Sequence, residues 1–123
     1  MENKAKKILI AEDERPIAHA LELKLNSAGF STKVVYNGEE ALNEIEKNKY
    51  NLLMLDLIMP KKDGFAVLSE MKEKNTKIPV VVLSNLGQEE DKIKVTEMGA
   101  KGYFVKSDVL ISGVVEFVKK ILK

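Results

Sequence analysis

The feature that most constrains this chain is a regular alternation between short apolar runs and longer amphipathic segments. The first, third and fourth runs are continuously apolar, as expected for strands that are covered on both faces of a sheet. Strands that alternate with helices pair in parallel through right-handed crossovers, so the pattern predicts a three-layer α/β domain. The five predicted strands cover residues 8–11, 32–36, 52–57, 80–83 and 102–105.

The amphipathic segments carry recognisable helix ends. Pro16 suits the first turn of a helix, and Asn37 with Glu40 three residues later is typical of an N-terminal cap. Gly99 is typical of the position just after a helix. The fourth helical segment carries the apolar residues Ile93, Val95 and Met98. One helix follows Asn37, and the other predicted helices cover residues 15–28, 64–74, 88–98 and 110–122.

Length and composition fit one domain. The chain has 123 residues, of which 45% are hydrophobic and 32% charged, and this is a common size for one globular domain. The formal net charge is +1, so no overall field draws the protein to nucleic acid or to an anionic membrane. There is no cysteine, no apolar run of the roughly 18 residues that a membrane span needs, and no signal-peptide pattern. We expect a single cytoplasmic domain over residues 1–123 that does not bind nucleic acid directly.

Polar and charged side chains stand at the ends of four predicted strands. The carboxyl ends of parallel strands meet at one edge of the sheet, where ligands bind. Unpaired carboxylates that are brought together repel one another, so their placement favours a bound cation, and oxygen ligands suit Mg²⁺. The residues are Glu12, Asp13 and Glu14 after the first strand, Asp56 near the end of the third, Ser84 and Asn85 after the fourth, and Lys106 and Ser107 after the fifth.

Four blocks of the sequence resemble the receiver domain of two-component response regulators, in the same order and at the expected strand ends. The resemblance covers nearly the whole chain. It implies a flavodoxin-like, doubly wound fold, with a five-stranded parallel sheet in the order 2-1-3-4-5 and five helices. It also implies a signalling switch similar to the stand-alone chemotaxis regulators. The blocks are ILIAEDE (residues 8–14), LDLIMPKKDG (55–64), VLS (82–84) and GAKGYFVK (99–106).

The resemblance implies a role for individual residues. Asp56 is expected to be the phosphoacceptor, a carboxylate nucleophile that forms an acyl phosphate. The implied cofactor is one Mg²⁺ ion, held by Asp13 and Asp56, by Glu12 through a water, and by the backbone carbonyl of Ile58. The implied phosphodonor is a histidine kinase or a histidine phosphotransfer protein.

Three further residues are expected to sense the phosphorylated state. The resemblance implies that Lys106 and the Ser84 hydroxyl each contact a phosphoryl oxygen. Tyr103 matches the family's switch aromatic, whose ring turns inward to fill the space that Ser84 vacates, and such a discrete repacking suits a two-state element. The alternative for Tyr103 is a half-buried ring with its hydroxyl in water.

Two positions depart from the usual pattern of the family. Ser107 stands where receivers commonly carry a proline after a cis bond. Because a cis bond before serine costs about 3 kcal/mol, either a trans bond or a strained cis bond is open for Lys106–Ser107. Asn85 stands where a small residue is common, and it either hinders water and phosphatases or donates a hydrogen bond to the phosphoryl group. We expect both residues to modulate rates.

The output surface is expected within residues 88–122, because Ser84 and Tyr103 border it. Residues 99–102 lack the paired acids typical of receivers that dimerise through this face, so we expect a monomer or weak dimer that binds an unknown effector. The chain ends at Lys123, just after the fifth helix, which favours a stand-alone receiver. The alternative is a receiver fragment of a longer transcriptional regulator.

Two other functions of layered α/β domains fit the sequence less well. A Mg²⁺-dependent aspartyl phosphatase of the haloacid-dehalogenase kind needs a second acid two residues beyond the nucleophile, and that position is Ile58. A flavin-binding module needs a Ser/Thr/Gly-rich phosphate loop where Glu12, Asp13 and Glu14 stand. We therefore predict a switch and not an enzyme, with only intrinsic Mg²⁺-dependent self-phosphorylation and dephosphorylation.

Overall fold

Five strands and five helices alternate along the computed structural model, which describes residues 5–122. The predicted alternation is confirmed, and the element ends differ from the predicted ones by at most two residues. The strands are β1 (Lys7–Ala11), β2 (Ser31–Val35), β3 (Leu52–Leu55), β4 (Val80–Ser84) and β5 (Gly102–Val105). The helices are α1 (Arg15–Ser27), α2 (Gly38–Lys47), α3 (Gly64–Glu73), α4 (Glu89–Glu97) and α5 (Ile111–Ile121).

The strands form one parallel sheet in the order β2-β1-β3-β4-β5, as the flavodoxin-like fold requires. β1 pairs with β2 on one side and with β3 on the other. The order of winding reverses between β1 and β3, so the crevice outside their carboxyl ends is the expected ligand site of such a sheet.

Both faces of the sheet are covered, which explains the continuous apolar runs of the sequence. Successive residues of β1 point to opposite faces: Leu9 belongs to the core under α2, α3 and α4, whereas Ile8 and Ile10 belong to the core under α1 and α5. All three side chains are fully buried. The alternation therefore fixes the strand register that carries the following acids to the carboxyl edge.

The predicted helix ends are confirmed. The Asn37 side chain accepts a hydrogen bond from the backbone N–H of Glu40 at 2.9 Å, and the Glu40 carboxylate accepts one from the N–H of Tyr36 at 2.9 Å. The first bond satisfies a backbone donor that the first turn of α2 leaves free, and the second ties Tyr36, just before the cap, to the same turn. Gly99 follows α4 with a φ of +107°, a backbone conformation that glycine adopts without strain.

Of the apolar residues that the sequence places in α4, Ile93 does not face the core. Its side chain is 51% exposed, whereas Val95 is fully buried under α4. Two residues along a helix turn by about 200°, so Ile93 and Val95 lie on nearly opposite sides and only one of them can face the sheet. α4 thus presents an apolar side chain to solvent.

No helix within residues 5–122 is long and apolar enough to cross a membrane. Residues 1–4 and Lys123 lie outside the described residues, and with them the two ends of the predicted domain 1–123 and the first residues of the N-terminal segment.

Candidate functional site

The backbone holds each charged site residue at the carboxyl edge of the sheet. Glu12, Asp56 and Lys106 each follow the last residue of a strand and still donate a backbone hydrogen bond to the neighbouring strand. The Asp56 N–H bonds to the Ala11 carbonyl at 3.0 Å, and the Lys106 N–H bonds to the Ser84 carbonyl at 2.9 Å. The strand pairing therefore determines where these side chains begin.

Three carboxylates lie together at this edge. Glu12, Asp13 and Asp56 each place a carboxylate oxygen within 4.8 Å of the other two. Glu12 is 2% exposed and Asp56 is 4% exposed, while Asp13 faces solvent. The predicted acid cluster is present, and its buried carboxylates need compensating positive charge.

Lys106 supplies positive charge to this cluster. Its ammonium Nζ lies 2.9 Å from the Glu12 carboxylate, 3.0 Å from Asp56 Oδ2 and 2.6 Å from Glu14 Oε2. The Lys106 side chain is only 6% exposed. An ammonium group has three N–H donors, and three carboxylates accept them here.

Burial and charge shift the pKa values of the central pair. Burial raises the pKa of Glu12 to about 7, and the neighbouring Asp56 charge adds to this effect, although hydrogen bonds from Lys106 and from the Glu14 N–H oppose it. Burial opposes the charge of Lys106, but its hydrogen bonds to Glu14, Glu12 and Asp56 outweigh burial and raise its pKa. Lys106 is therefore a cation at neutral pH.

A second group of residues lies between the acids and the surface of α4. Ser84 is fully buried, and its Oγ lies 3.4 Å from the backbone N–H of Leu86, which donates to it. The Tyr103 hydroxyl donates a hydrogen bond to the Leu86 carbonyl, and the ring packs against the core under α2, α3 and α4. The alternative for Tyr103, a hydroxyl in water, is therefore not what the structure has, because the hydroxyl binds a backbone carbonyl.

The remaining predicted residues surround the acids. The Ile58 N–H donates to Asp56 Oδ1 at 3.2 Å, and the Ile58 side chain is 55% exposed. Asn85 and Ser107 are both exposed. The described residues contain no cis peptide bond, so Lys106–Ser107 is trans. Of the two alternatives that the sequence left open, the structure has the unstrained one.

Glu14 is a site residue to which the sequence prediction gave no role. Its carboxylate makes the shortest of the three contacts to Lys106. The family pattern assigns roles to the two acids before Glu14 and none to Glu14 itself. The sequence signal for such a role is the place of Glu14 next to Asp13, within reach of the long side chain of Lys106.

The site adjoins an apolar hollow. A cavity of about 290 Å³ beside Lys106 is lined by Ile17 of α1, by Val109 between β5 and α5, and by Ile111 at the start of α5. The larger groove, about 560 Å³, lies between α2 and α3 at the opposite edge of the sheet. Chemistry and not size therefore identifies the site, because the larger groove holds none of the clustered acids.

The parallel sheet, with clustered acids and a buried lysine at its carboxyl edge, defines a flavodoxin-like domain with one charged site. Residues 8–116 match the family model of the response regulator receiver domain, and the chain belongs to this family. The receiver domain of the Francisella response regulator 1452 superposes with a TM-score of 0.89 at 32% identity, covering 94% of this chain and 95% of that one. A two-component response regulator from Clostridium difficile superposes with a TM-score of 0.88 at 27% identity, covering 95% of each chain.

The curated relatives that this chain matches include transcriptional regulators. The "Probable transcriptional regulator ycf27" of Pyropia yezoensis is 41% identical over 106 residues, which are 86% of this chain and 43% of that protein. The transcriptional regulatory protein DltR of Streptococcus agalactiae is 32% identical over 100 residues, or 81% of this chain and 45% of that protein. The chain thus spans less than half the length of these relatives.

Proposed function

We propose that this receiver is a phosphorylation-operated switch whose phosphoacceptor is Asp56. The observation that carries the proposal is the buried Asp56 carboxylate, 3.0 Å from the Lys106 ammonium and within a cluster of acids. A carboxylate in this position can act as a nucleophile, and the lysine can offset the charge of an incoming phosphoryl group. Phosphoryl transfer depends mainly on such positioning and charge neutralisation.

In the proposed reaction, a carboxylate oxygen of Asp56 attacks the phosphorus of a phosphohistidine on a histidine kinase or phosphotransfer protein. The new P–O bond forms as the P–N bond breaks, and the imidazole leaves with the electron pair. Lys106 then pairs with a phosphoryl oxygen through a charge-assisted hydrogen bond. The apolar hollow around Ile17, Val109 and Ile111 adjoins Lys106 and offers the donor protein a contact surface.

The acid cluster fits one Mg²⁺ ion. The oxygen atoms of Glu12, Asp13 and Asp56 are close enough to share a cation, and a set made only of oxygen ligands suits a hard divalent ion. We assign Asp13, Asp56 and the carbonyl of Ile58 as ligands, and Glu12 as a ligand through a water. When bound, the ion supplies positive charge that stabilises the phosphoryl oxygens during transfer.

The contacts of Leu86 support a route from the phosphoryl group to the surface. Ser84 contacts the Leu86 N–H, and Tyr103 contacts the Leu86 carbonyl. If the Ser84 hydroxyl turns to a phosphoryl oxygen, it leaves the Leu86 N–H. The segment around Leu86, whose carbonyl binds the Tyr103 hydroxyl, then repacks. Asn85, which lies between Ser84 and Leu86, and Ser107 are assigned a modulating role.

The proposed output surface is residues 88–122, where an effector protein binds. Two large apolar side chains are exposed there, Ile93 at 51% and Leu110 at 77%. The named relatives are transcriptional regulators and are longer than this chain, so a receiver within a longer transcriptional regulator has equal support and uses the same site.

Intact-mass measurement with a small phosphodonor tests the proposal. In Mg²⁺ and acetyl phosphate the protein should gain about 80 Da, the mass of one phosphoryl group, and should not gain it in EDTA. Asp56→Asn should stay unlabelled. Asp63→Asn is the matched control, because Asp63 caps α3 from an exposed position and asparagine caps equally well. Continuous donor hydrolysis without a mass gain would instead indicate a phosphatase.

A further inference from the structure

We propose that Glu14 is a latch on Lys106: in the unphosphorylated state its carboxylate competes with the phosphoryl group for the ammonium and slows phosphorylation by small anionic donors. The inference rests on the proposed role of Asp56. The juxtaposition behind it is the 2.6 Å contact between Glu14 Oε2 and Lys106 Nζ, which is shorter than the contacts of Lys106 with Glu12 and Asp56.

The position of Glu14 in α1 supports a dedicated contact. Glu14 is the N-cap residue of α1, yet its side chain makes no capping hydrogen bond. The backbone N–H of Glu14 instead donates to Glu12 Oε2 at 3.0 Å, while its carboxylate turns to Lys106. Glu12, Glu14 and Lys106 thus form a closed ring of contacts beside Asp56.

Glu14 is the partner of Lys106 that can leave. All three N–H donors of the ammonium are in use, and a phosphoryl group on Asp56 brings further acceptor oxygens. The Glu12 and Asp56 side chains are 2% and 4% exposed, whereas that of Glu14 is 46% exposed. A carboxylate next to water can exchange its partner for hydration, while a buried one cannot do so cheaply.

The latch acts before the transfer step. With acetyl phosphate, an Asp56 oxygen forms a bond to phosphorus as the P–O bond to acetate breaks, and acetate leaves with the electron pair. While Glu14 holds Lys106, the anionic donor meets an additional negative charge and an ammonium with no free donor. Removing the Glu14 charge should therefore raise the rate, while Glu12 and Asp56 still hold Lys106 in place.

The test compares the initial rate of phosphoryl gain in the wild type and in Glu14→Gln, with acetyl phosphate and Mg²⁺ at low ionic strength. Glu14→Gln should be faster by about two- to fivefold, the range that a partly exposed ion pair supports. The difference should shrink in about 1 M salt, where the Debye length is about 3 Å. The matched control is Glu116→Gln, an exposed glutamate of α5 paired with Lys119 at 3.3 Å, which should keep the wild-type rate.

An equal or slower rate for Glu14→Gln would overturn the latch, and so would an equal acceleration in Glu116→Gln, which would indicate net charge alone. A wild type that takes up no phosphoryl group would refute the proposed function itself. The contact has a readout of its own, the ¹⁵N–¹H resonance of the Lys106 ammonium. This resonance should move in Glu14→Gln and not in Glu116→Gln, and an unmoved resonance would refute the latch whatever the labelling shows.

Discussion

The Tyr103 hydroxyl donates a hydrogen bond to the backbone carbonyl of Leu86, whose N–H in turn contacts the Ser84 hydroxyl at 3.4 Å. One backbone unit therefore touches both a buried residue at the acidic site and an aromatic ring of β5. A change at Ser84 alters the surroundings of Leu86 first and of Tyr103 second. This relationship gives the proposed switch a physical route.

Ser84→Ala should still accept a phosphoryl group but should respond poorly on residues 88–122. The bond from the hydroxyl to the phosphoryl group exists only in the phosphorylated state, so its loss removes part of the energy that shifts the population. Amide spectra before and after beryllofluoride, a phosphoryl mimic, measure the response. Ser69→Ala, at an exposed position of α3, is the matched control. Wild-type amide shifts in Ser84→Ala would show that Ser84 does not couple the phosphorylation site to residues 88–122.

Glu12 should make stability depend on pH in the absence of Mg²⁺. Its pKa is raised from 4.5 to about 7 by burial first, so between these values the folded state holds a proton that the unfolded state has lost. Glu12 therefore destabilises the fold progressively as the pH rises through this window.

The variant Glu12→Gln isolates this effect, because glutamine resembles the protonated acid. Its free energy of unfolding, measured by urea denaturation in EDTA, should increase relative to the wild type between about pH 5 and about pH 8. If the difference in free energy of unfolding between Glu12→Gln and the wild type stays constant over this range, burial does not raise the pKa of Glu12.

Asp13→Ala should weaken Mg²⁺ binding by at least about tenfold, since even the loss of a residue that supports a ligand costs about 10- to 100-fold. Calorimetric titration with Mg²⁺ measures the affinity, with the exposed Asp108→Ala as the control for lost charge. If both variants bind Mg²⁺ equally well, Asp13 is not a ligand.

A side chain at Gly64, the first residue of α3, should destabilise the fold. An added Cβ would lie 2.5 Å from the Asp56 carbonyl oxygen and 2.7 Å from the Leu57 Cα. Gly64→Ala should lower the free energy of unfolding by about 1–3 kcal/mol through overpacking. Gly113→Ala in α5, where the nearest atom is 3.9 Å away, should raise it by about 0.5–1 kcal/mol. Urea denaturation measures the free energy of unfolding of both variants. Equal changes in the two would contradict the close approach of the Asp56 and Leu57 backbone to Gly64.

The fold and the acid cluster could be predicted because they depend on periodic and positional signals. Continuous apolar runs identify buried parallel strands, and the residues that follow such strands meet at one edge, as Glu12, Asp56 and Lys106 do. The contact between Glu14 and Lys106 could not be predicted in this way, since strand order positions the backbone but not the end of a flexible side chain.

Two further results depended on the structure. Ile93 and Val95 are the two large apolar residues of the mostly charged helix α4, but helical rotation places only Val95 in the core. The hydrogen bond from the Tyr103 hydroxyl in β5 to the Leu86 carbonyl depends on the course of the segment that follows β4. A sequence pattern records neither the rotation of α4 nor the course of that segment.

The most direct test of the central claim is to locate the phosphoryl group in the chain. After reaction with acetyl phosphate and Mg²⁺, borohydride reduction converts a phosphorylated aspartate to homoserine, which peptide mass spectrometry can place. We predict a single conversion at residue 56, with none at Asp13 or Asp63. Conversion at another acid, or labelling that persists in Asp56→Asn, would contradict the assignment of Asp56 as the phosphoacceptor.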